Sequence, residues 1–257
     1  MIKRQLDISS IISLLKKYPK KRPALSKEIR KIFDIEYKNN RENILSQFSE
    51  RWLHYSIKGR DLLFNKTLEV GAGSLNHLEY ENFEKKHLYD VIEPKKFLYN
   101  NKKNKFLVHK FFKSLKHTKN KSYNRIISCA VLEHLEDLPK FLYLSSKKLK
   151  KNGYQSHSIP CEGYPTWNIT WFLTSGITFR LRTGKSFKEV QKHEHLNTFD
   201  EIVKLVKFFY KDVEIKYSYP FFLNAYFSFY SNITFKNPIQ KNINLYLKLI
   251  KNKKNEK

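Results

Sequence analysis

The spacing of apolar residues divides the chain into two regimes. Near the N-terminus it follows a helical period. Ile8, Ile11, Ile12 and Leu15 fall on one stripe behind Asp7, a residue suited to cap a helix. Leu45, Phe48, Trp52 and Tyr55 form a second stripe. The loop K-Y-P-K-K-R-P separates the first helix from another expected over Ser26–Lys38. Residues 1–60 therefore read as a helical cap. From Lys66 the pattern changes. T-L-E-V, L-Y-D-V-I-E-P, K-F-L-V-H, N-R-I-I-S-C-A and Y-Q-S-H-S-I-P are short apolar strands. Helix-length segments lie between them, one around Asp137–Lys150. This alternation predicts an α/β fold whose mostly parallel sheet is covered on both faces.

The stretch 163–192 breaks the rhythm. It is aromatic and basic, and reads as an insertion over the sheet edge, a candidate lid. T-F-D-E at Thr198–Glu201 has the form of a capping box and opens a helix through Phe209. V-E-I-K-Y and the aromatic run Tyr219–Tyr230 suggest two closing strands. The main domain thus spans 61–235. A basic tail, 236–257, carries Ile243, Tyr246, Leu247 and Ile250 on one helical face.

Hydrophobic residues make up 40% of the 257 residues, enough for a sizeable core, so disorder of the whole chain is excluded. The net charge is +26, which attracts polyanions such as RNA or anionic lipid. The lysines are scattered and the chain is rich in Asn, Ile, Phe and Tyr, so compositional drift is favoured over a dedicated nucleic-acid face. Cys129 and Cys161 are too few for a four-ligand zinc site, and are expected as reduced thiols in a cytoplasmic protein. The N-terminal apolar run is short and interrupted by Asp7 and serines, unlike a signal peptide. No run approaches the ~18 apolar residues of a membrane span.

Only 7 glycines occur, yet two fall in one short turn, E-V-G-A-G-S. A strand leading into a glycine turn and a helix offers backbone N–H groups to a ligand. No G-K-[ST] follows, which excludes a Walker loop. A dinucleotide turn would have a third glycine where Asn76 stands. Glu69 would repel a pyrophosphate and suits a ligand with an ammonium group. Glu93, 22 residues after Gly71, stands where a carboxylate accepts hydrogen bonds from ribose hydroxyls. The two acids together point to an adenosine-type ligand.

On these residues the chain resembles the class I S-adenosylmethionine-dependent methyltransferases, over about Lys66 to Tyr217. E-V-G-A-G-S is similar to the first family motif and D-V-I-E-P to the second-strand acid. Y-N-R-I-I-S-C-A-V-L-E-H-L-E-D-L-P resembles the fourth-strand segment of the small-molecule branch, with its L-E-H. L-K-K-N-G-Y and S-I-P-C-E-G resemble the two ends of the fifth strand. The resemblance implies a Rossmann-like, doubly wound sheet of seven strands, the last antiparallel. It implies S-adenosylmethionine as cofactor, with Glu69, Gly71, Ala72 and Gly73 around its methionine part. Glu93 and Pro94 would stand at the ribose, and Cys129, Leu132 and Glu133 near the sulfonium. Two departures are visible. Asn124 replaces the usual fourth-strand Asp, and H-K-F-F-K-S supplies no acid for the adenine amino group.

An alcohol acceptor benefits from a base, and histidine titrates near neutrality. His134 and His195 are the candidate catalytic residues, while His157 within the fifth strand reads as a packed core residue. H-E-H at 193–195 lacks metal-ligand spacing, so no metal is expected. Pro160–Cys161 has the form of a cytosine C5 methyltransferase nucleophile but follows the fifth strand instead of the fourth. Glu162 and Tyr164, at the fifth-strand exit, and Trp167, Arg180 and Arg182, in the insertion, are candidate acceptor contacts. The expected activity is methyl transfer to a small molecule or glycan, at a hydroxyl. An RNA methyltransferase and a non-catalytic scaffold stay open as alternatives. A separate expectation is peripheral attachment to an anionic membrane through lysines around the tail's apolar stripe.

Overall fold

The computed structural model describes residues 7–39, 44–59, 66–83, 87–100, 102–218 and 221–255. Seven strands are β1 (Lys66–Val70), β2 (Leu88–Ile92), β3 (Lys110–Phe112), β4 (Tyr123–Cys129), β5 (Leu149–Pro160), β6 (Tyr210–Tyr217) and β7 (Tyr230–Pro238). They hydrogen-bond in the order β3-β2-β1-β4-β5-β7-β6. The first five strands pair in parallel, and β7 runs antiparallel between β5 and β6. The mostly parallel sheet is the one the strand pattern predicts, and its seven strands with the last antiparallel are what the family resemblance implies.

One face is apolar. Leu68, Ile126, Ile159 and Ile233 pack there against α1 (Ile8–Lys16), α4 (Leu138–Lys148), α8 (Phe199–Phe209) and α9 (Gln240–Asn255). Local signals start these helices. The Asp7 side chain accepts from Ser9 N, Asp137 accepts from Lys140 N, and Thr198 and Glu201 form the capping box. Helix α9 differs from the expectation in what its stripe does. Ile243 and Tyr246 are buried, Tyr246 against Phe209 at 5.3 Å between ring centroids, and Ile250 packs on the core. Only Leu247 of the four is exposed. Most of the tail's stripe therefore packs on the protein.

The other face is partly ionic. Strand alternation sends Thr67, Glu69, Tyr89, Arg125 and Cys129 toward α3 (Ile44–Ile57). Arg125, fully buried in the central strand β4, pairs with Glu81 at 2.8 Å and donates to Thr67 Oγ1. His77 Nε2 lies 2.7 Å from Glu81 Oε1, and His77 Nδ1 lies 3.3 Å from His54 Nδ1. Burial opposes ionisation of Glu81, but the His77 hydrogen bond and the Arg125 charge outweigh it and hold its pKa at about 2. Gly59 makes room for the guanidinium, since a Cβ there would stand 2.5 Å from Arg125 Nη1. The α3 stripe is correspondingly rotated. Leu53, His54 and Ile57 face inward, and Tyr55 is exposed. The side chains of Leu45 and Phe48 lie outside the described residues.

Three further expectations change. The segment after the glycine turn is a short 3-10 turn, Asn76–Tyr80, rather than a helix. Leu75 before it is left-handed, with φ of 64°, which no regular helix start accommodates. The third strand is H-K-F-F-like, shifted past K-F-L-V-H, whose Phe106 and Leu107 fall in another 3-10 turn. The described part of the Tyr219–Tyr230 run is mostly turn, with strand pairing beginning only at Tyr230. The 163–192 segment is helical: α5 (Pro165–Trp171), a π-helical turn (Phe172–Gly176), α6 (Ile177–Thr183) and α7 (Lys188–Glu194). It builds a small core with α2 (Lys27–Asn39), where Phe179 and Val190 meet Leu25 and Ile29.

Two buried histidines make stability pH-dependent. Burial, helped at His54 by the neighbouring His77, lowers the pKa of His54 and of His157 to about 3 from 6.5. Both are neutral when folded and take up protons on unfolding below pH 6.5. The expected outcome is a urea midpoint that falls as pH drops from 6.5 toward 3, each histidine adding up to ~1.4 kcal/mol per pH unit. A midpoint unchanged over that range counts against the buried neutral pair.

Candidate active site

The C-terminal ends of β1, β2, β4 and β5 meet in one region, where sheets of this kind present ligands. The bend after β1 comes first. Gly71 and Gly73 have φ of 69° and 53°, a region glycine enters without penalty. Gly71 N donates to Ile92 O, tying the bend to the end of β2. Val131, in the turn after β4, covers Gly71, and a Cβ at 71 would lie 2.6 Å from its methyl. Glu93 closes the bend from the other side. Its carboxylate accepts from Gly73 N and Lys95 N, both at 2.9 Å. The nest of backbone donors thus already holds an anion, which disfavours a pyrophosphate there.

Glu69 departs from the expected role. It is buried, accepts from Tyr89 OH at 3.0 Å, and burial raises its pKa. It belongs to the ionic layer beneath the bend, with its carboxylate turned to Tyr89. The 3-10 turn after the bend contributes no long helix dipole. The glycine bend and Glu93 are thus joined, while Glu69 turns to Tyr89. Ala72 and Leu132 are buried beside the bend, Cys129 is half-buried with His54 Nε2 3.9 Å from its sulfur, and Pro94 is exposed.

A second group gathers at the ends of β4 and β5. His195 Nδ1 meets Glu162 Oε2 at 2.5 Å. Its ring lies 4.9 Å from the His134 ring and 5.8 Å from Trp167. Burial alone would lower the His195 pKa, but the bond to Glu162 and the fields of Glu162, Glu133 and Glu194 raise it overall. With Nδ1 facing the carboxylate, Nδ1 carries the proton, and in the neutral ring Nε2 keeps a lone pair. Gln191 donates to the second Glu162 oxygen at 2.8 Å and fixes its orientation. His134 differs, since its Nδ1 donates to Glu194 O at 2.7 Å, a structural contact. Glu133 is 1% exposed, and its Oε2 has no hydrogen-bond partner among the described residues. Burial raises the Glu133 pKa.

The remaining candidates separate. Trp167 is buried and stacks on Trp171 at 5.9 Å. Tyr164 donates to Asp200 at 2.6 Å, so its hydroxyl is engaged. Arg180 and Arg182 stand exposed on α6, outside the contacts that join the histidines. His193 Nδ1 turns to Pro23 O, away from His195's partner. Cys161 is fully buried and burial pushes its thiol up to about 12, so it is no nucleophile.

The residues missed by sequence reasoning are those that hold this group in place. Asn197 donates to Leu132 O and Leu135 O at 2.9 and 2.8 Å and accepts from Tyr18 OH at 2.7 Å. Leu196 N and Asn197 N both donate to Glu133 O. Arg22 donates to His134 O and His193 O. No local motif announces these contacts.

No family model and no curated protein matches the chain. Solved structures match in fold. A SAM-dependent methyltransferase from Archaeoglobus fulgidus aligns over 80% of this chain and 99% of its own, with a TM-score of 0.52 and 16% identity. The plantazolicin methyltransferase BpumL, in complex with SAH, aligns over 90% and 97%, with a TM-score of 0.51 and 15% identity. Phosphoethanolamine N-methyltransferase 2 of Haemonchus contortus, in complex with S-adenosyl-L-methionine, aligns over 84% of this chain and 61% of its own, at 0.52 and 12%. The chain therefore has the Rossmann-like fold of class I methyltransferases.

Two measurements check the geometry. In an NMR titration His195 should titrate above 6.5, and Glu162→Gln should bring it down; an unchanged value counts against the pair. Asn197→Ala strands buried carbonyls and a tyrosine hydroxyl, and should cost ~2–4 kcal/mol in urea unfolding.

Proposed function

We propose that the chain is an S-adenosylmethionine-dependent methyltransferase acting on a hydroxyl of a small-molecule or glycan acceptor. The observation that carries the acceptor chemistry is the Glu162–His195 pair, with the imidazole Nε2 left unbonded among the described residues. A carboxylate on Nδ1 fixes the tautomer and stabilises the imidazolium that forms when Nε2 accepts a proton. Glu133 Oε2, buried and unpartnered beside it, suits a hydrogen bond from a donor group of the acceptor.

S-adenosylmethionine, when bound, supplies an electrophilic methyl group. Gly71, Ala72, Gly73 and Glu93 are the residues proposed to hold it, with Cys129, Leu132 and Glu133 bordering it. Glu93 is preset by two backbone donors and keeps lone pairs for ribose hydroxyls. His195 removes the acceptor proton, and Trp167 and Leu132 help exclude water from the same end of the sheet. His134 serves as a positioning residue through Glu194.

Calorimetry should show S-adenosylmethionine binding and no NAD binding. Glu93→Ala should weaken it ~10–100-fold, the worth of hydrogen bonds to a charged group. With methyl-labelled cofactor and a panel of sugars, nucleotide sugars, phenols and amines, label should pass to hydroxyls. His195→Ala should slow transfer by ~10²–10⁴ while leaving cofactor affinity within a factor of ~3. NAD binding alone, or label confined to amines, would reject the reading.

A further inference from the structure

The helical run 165–183 is apolar on two sides. Its inner side holds Trp167 and Phe179, both buried, and Trp171, which lies 5.0 Å from the Phe187 ring. Its outer side holds Ile169, Leu173, Ile177 and Leu181, one every fourth residue, with Phe172 beside them. These outer residues are exposed, Leu181 at 82%. A surface helix ordinarily turns polar residues outward, and one apolar all round is covered on both sides. The turn before β7 extends the same surface. Phe221, Leu223, Tyr226 and Phe227 are exposed there, Leu223 at 69%. Thr166 Oγ1 donates to Tyr226 O, and the Tyr164 and Tyr226 rings lie 4.8 Å apart, so helix and turn form one body.

Charge indicates what covers this surface. From Gly163 to Lys188 the sequence holds Arg180, Arg182, Lys185 and Lys188 and no Asp or Glu. From Ile215 to Asn255 there is again no acid. Lys185 pairs with Glu28 of α2; Arg180 and Lys188 are exposed. A continuous apolar stripe, a neighbouring turn of Phe, Leu and Tyr, and flanking cations in segments that carry no acid of their own are the features of a helix that lies in a lipid headgroup layer. No helix of the described residues is long and apolar enough to cross a membrane, which leaves peripheral seating.

We propose that the run 165–183 and the turn 221–227 seat the protein on an anionic lipid bilayer, with the ends of β4 and β5 facing the lipid surface. This is a different surface from α9, whose stripe is packed inside. The seating is independent of which reaction the site performs. The apolar stripe enters the acyl boundary, and the flanking cations meet anionic headgroups.

Vesicle flotation of the full chain tests it. The wild type should float with equimolar phosphatidylcholine–phosphatidylglycerol vesicles and stay behind with phosphatidylcholine alone. Leu173→Glu/Leu181→Glu, both at exposed positions, should reduce flotation at least ~10-fold, and Leu247→Glu on α9 should leave it unchanged. Brominated lipids should quench tryptophan fluorescence of the wild type, a readout that needs no variant. Absence of flotation by folded wild type would overturn the proposal, as would equal flotation by the double variant. So would light scattering that shows a dimer dissociated by those two substitutions, since a second copy would then be the occupant.

Discussion

One asparagine side chain sets the relative positions of three loops. Asn197 spends both amide hydrogens on the turn after β4 and its oxygen on the Tyr18 hydroxyl. Its backbone, with that of Leu196, adds two donors to Glu133 O. The partners lie 62, 65 and 179 residues away in sequence, so this contact closes long loops that hydrophobic packing alone would leave free to slide. His134, Glu133 and His195 acquire their mutual geometry from it. Arg22 repeats the same logic from the N-terminal side, capping the carbonyls of His134 and His193.

A second constraint governs the opposite face. Arg125 is a full charge inside the central strand, and a buried charge persists only where partners surround it. Glu81 and Thr67 bond its guanidinium, and the Ile57 carbonyl lies within 3.4 Å of it. The surrounding layer draws in His77, His54 and, through Tyr89, Glu69. This explains why the acid that precedes the glycine bend turns inward. Strand alternation sets the face of Glu69, and the Tyr89 hydroxyl holds its carboxylate there.

Much of the fold was legible because its signals are local. Strand runs, the Asp7 cap, the Thr198–Glu201 box and the two glycines each act within a few residues. The pairing of Glu162 with His195 was not legible, although both were named as candidates, because 33 residues separate them and a helical layer intervenes. Strand alternation put Glu69 on the face of Thr67, but which face would receive a buried arginine's network was a tertiary matter. The absent helix after the bend has a visible cause in hindsight. S-L-N-H-L-E-Y carries too few apolar positions to build a long stripe, and Leu75 adopts the left-handed region. Aromatics at 165–183 gave the opposite difficulty. Both sides of that run look like a core, and only the structure shows which one is.

The unlike chemistry of the sheet's two faces has a thermal consequence. Exposing apolar surface raises heat capacity on unfolding, while exposing polar surface lowers it. The face under α4, α8 and α9 therefore supplies most of the curvature of stability with temperature. On the α3 face the Arg125 layer offsets part of what the smaller apolar cluster around Leu75, Val91 and Ile127 contributes. Cooling weakens the first face through its loss of hydrophobic drive, whereas warming eases the desolvation burden of the second.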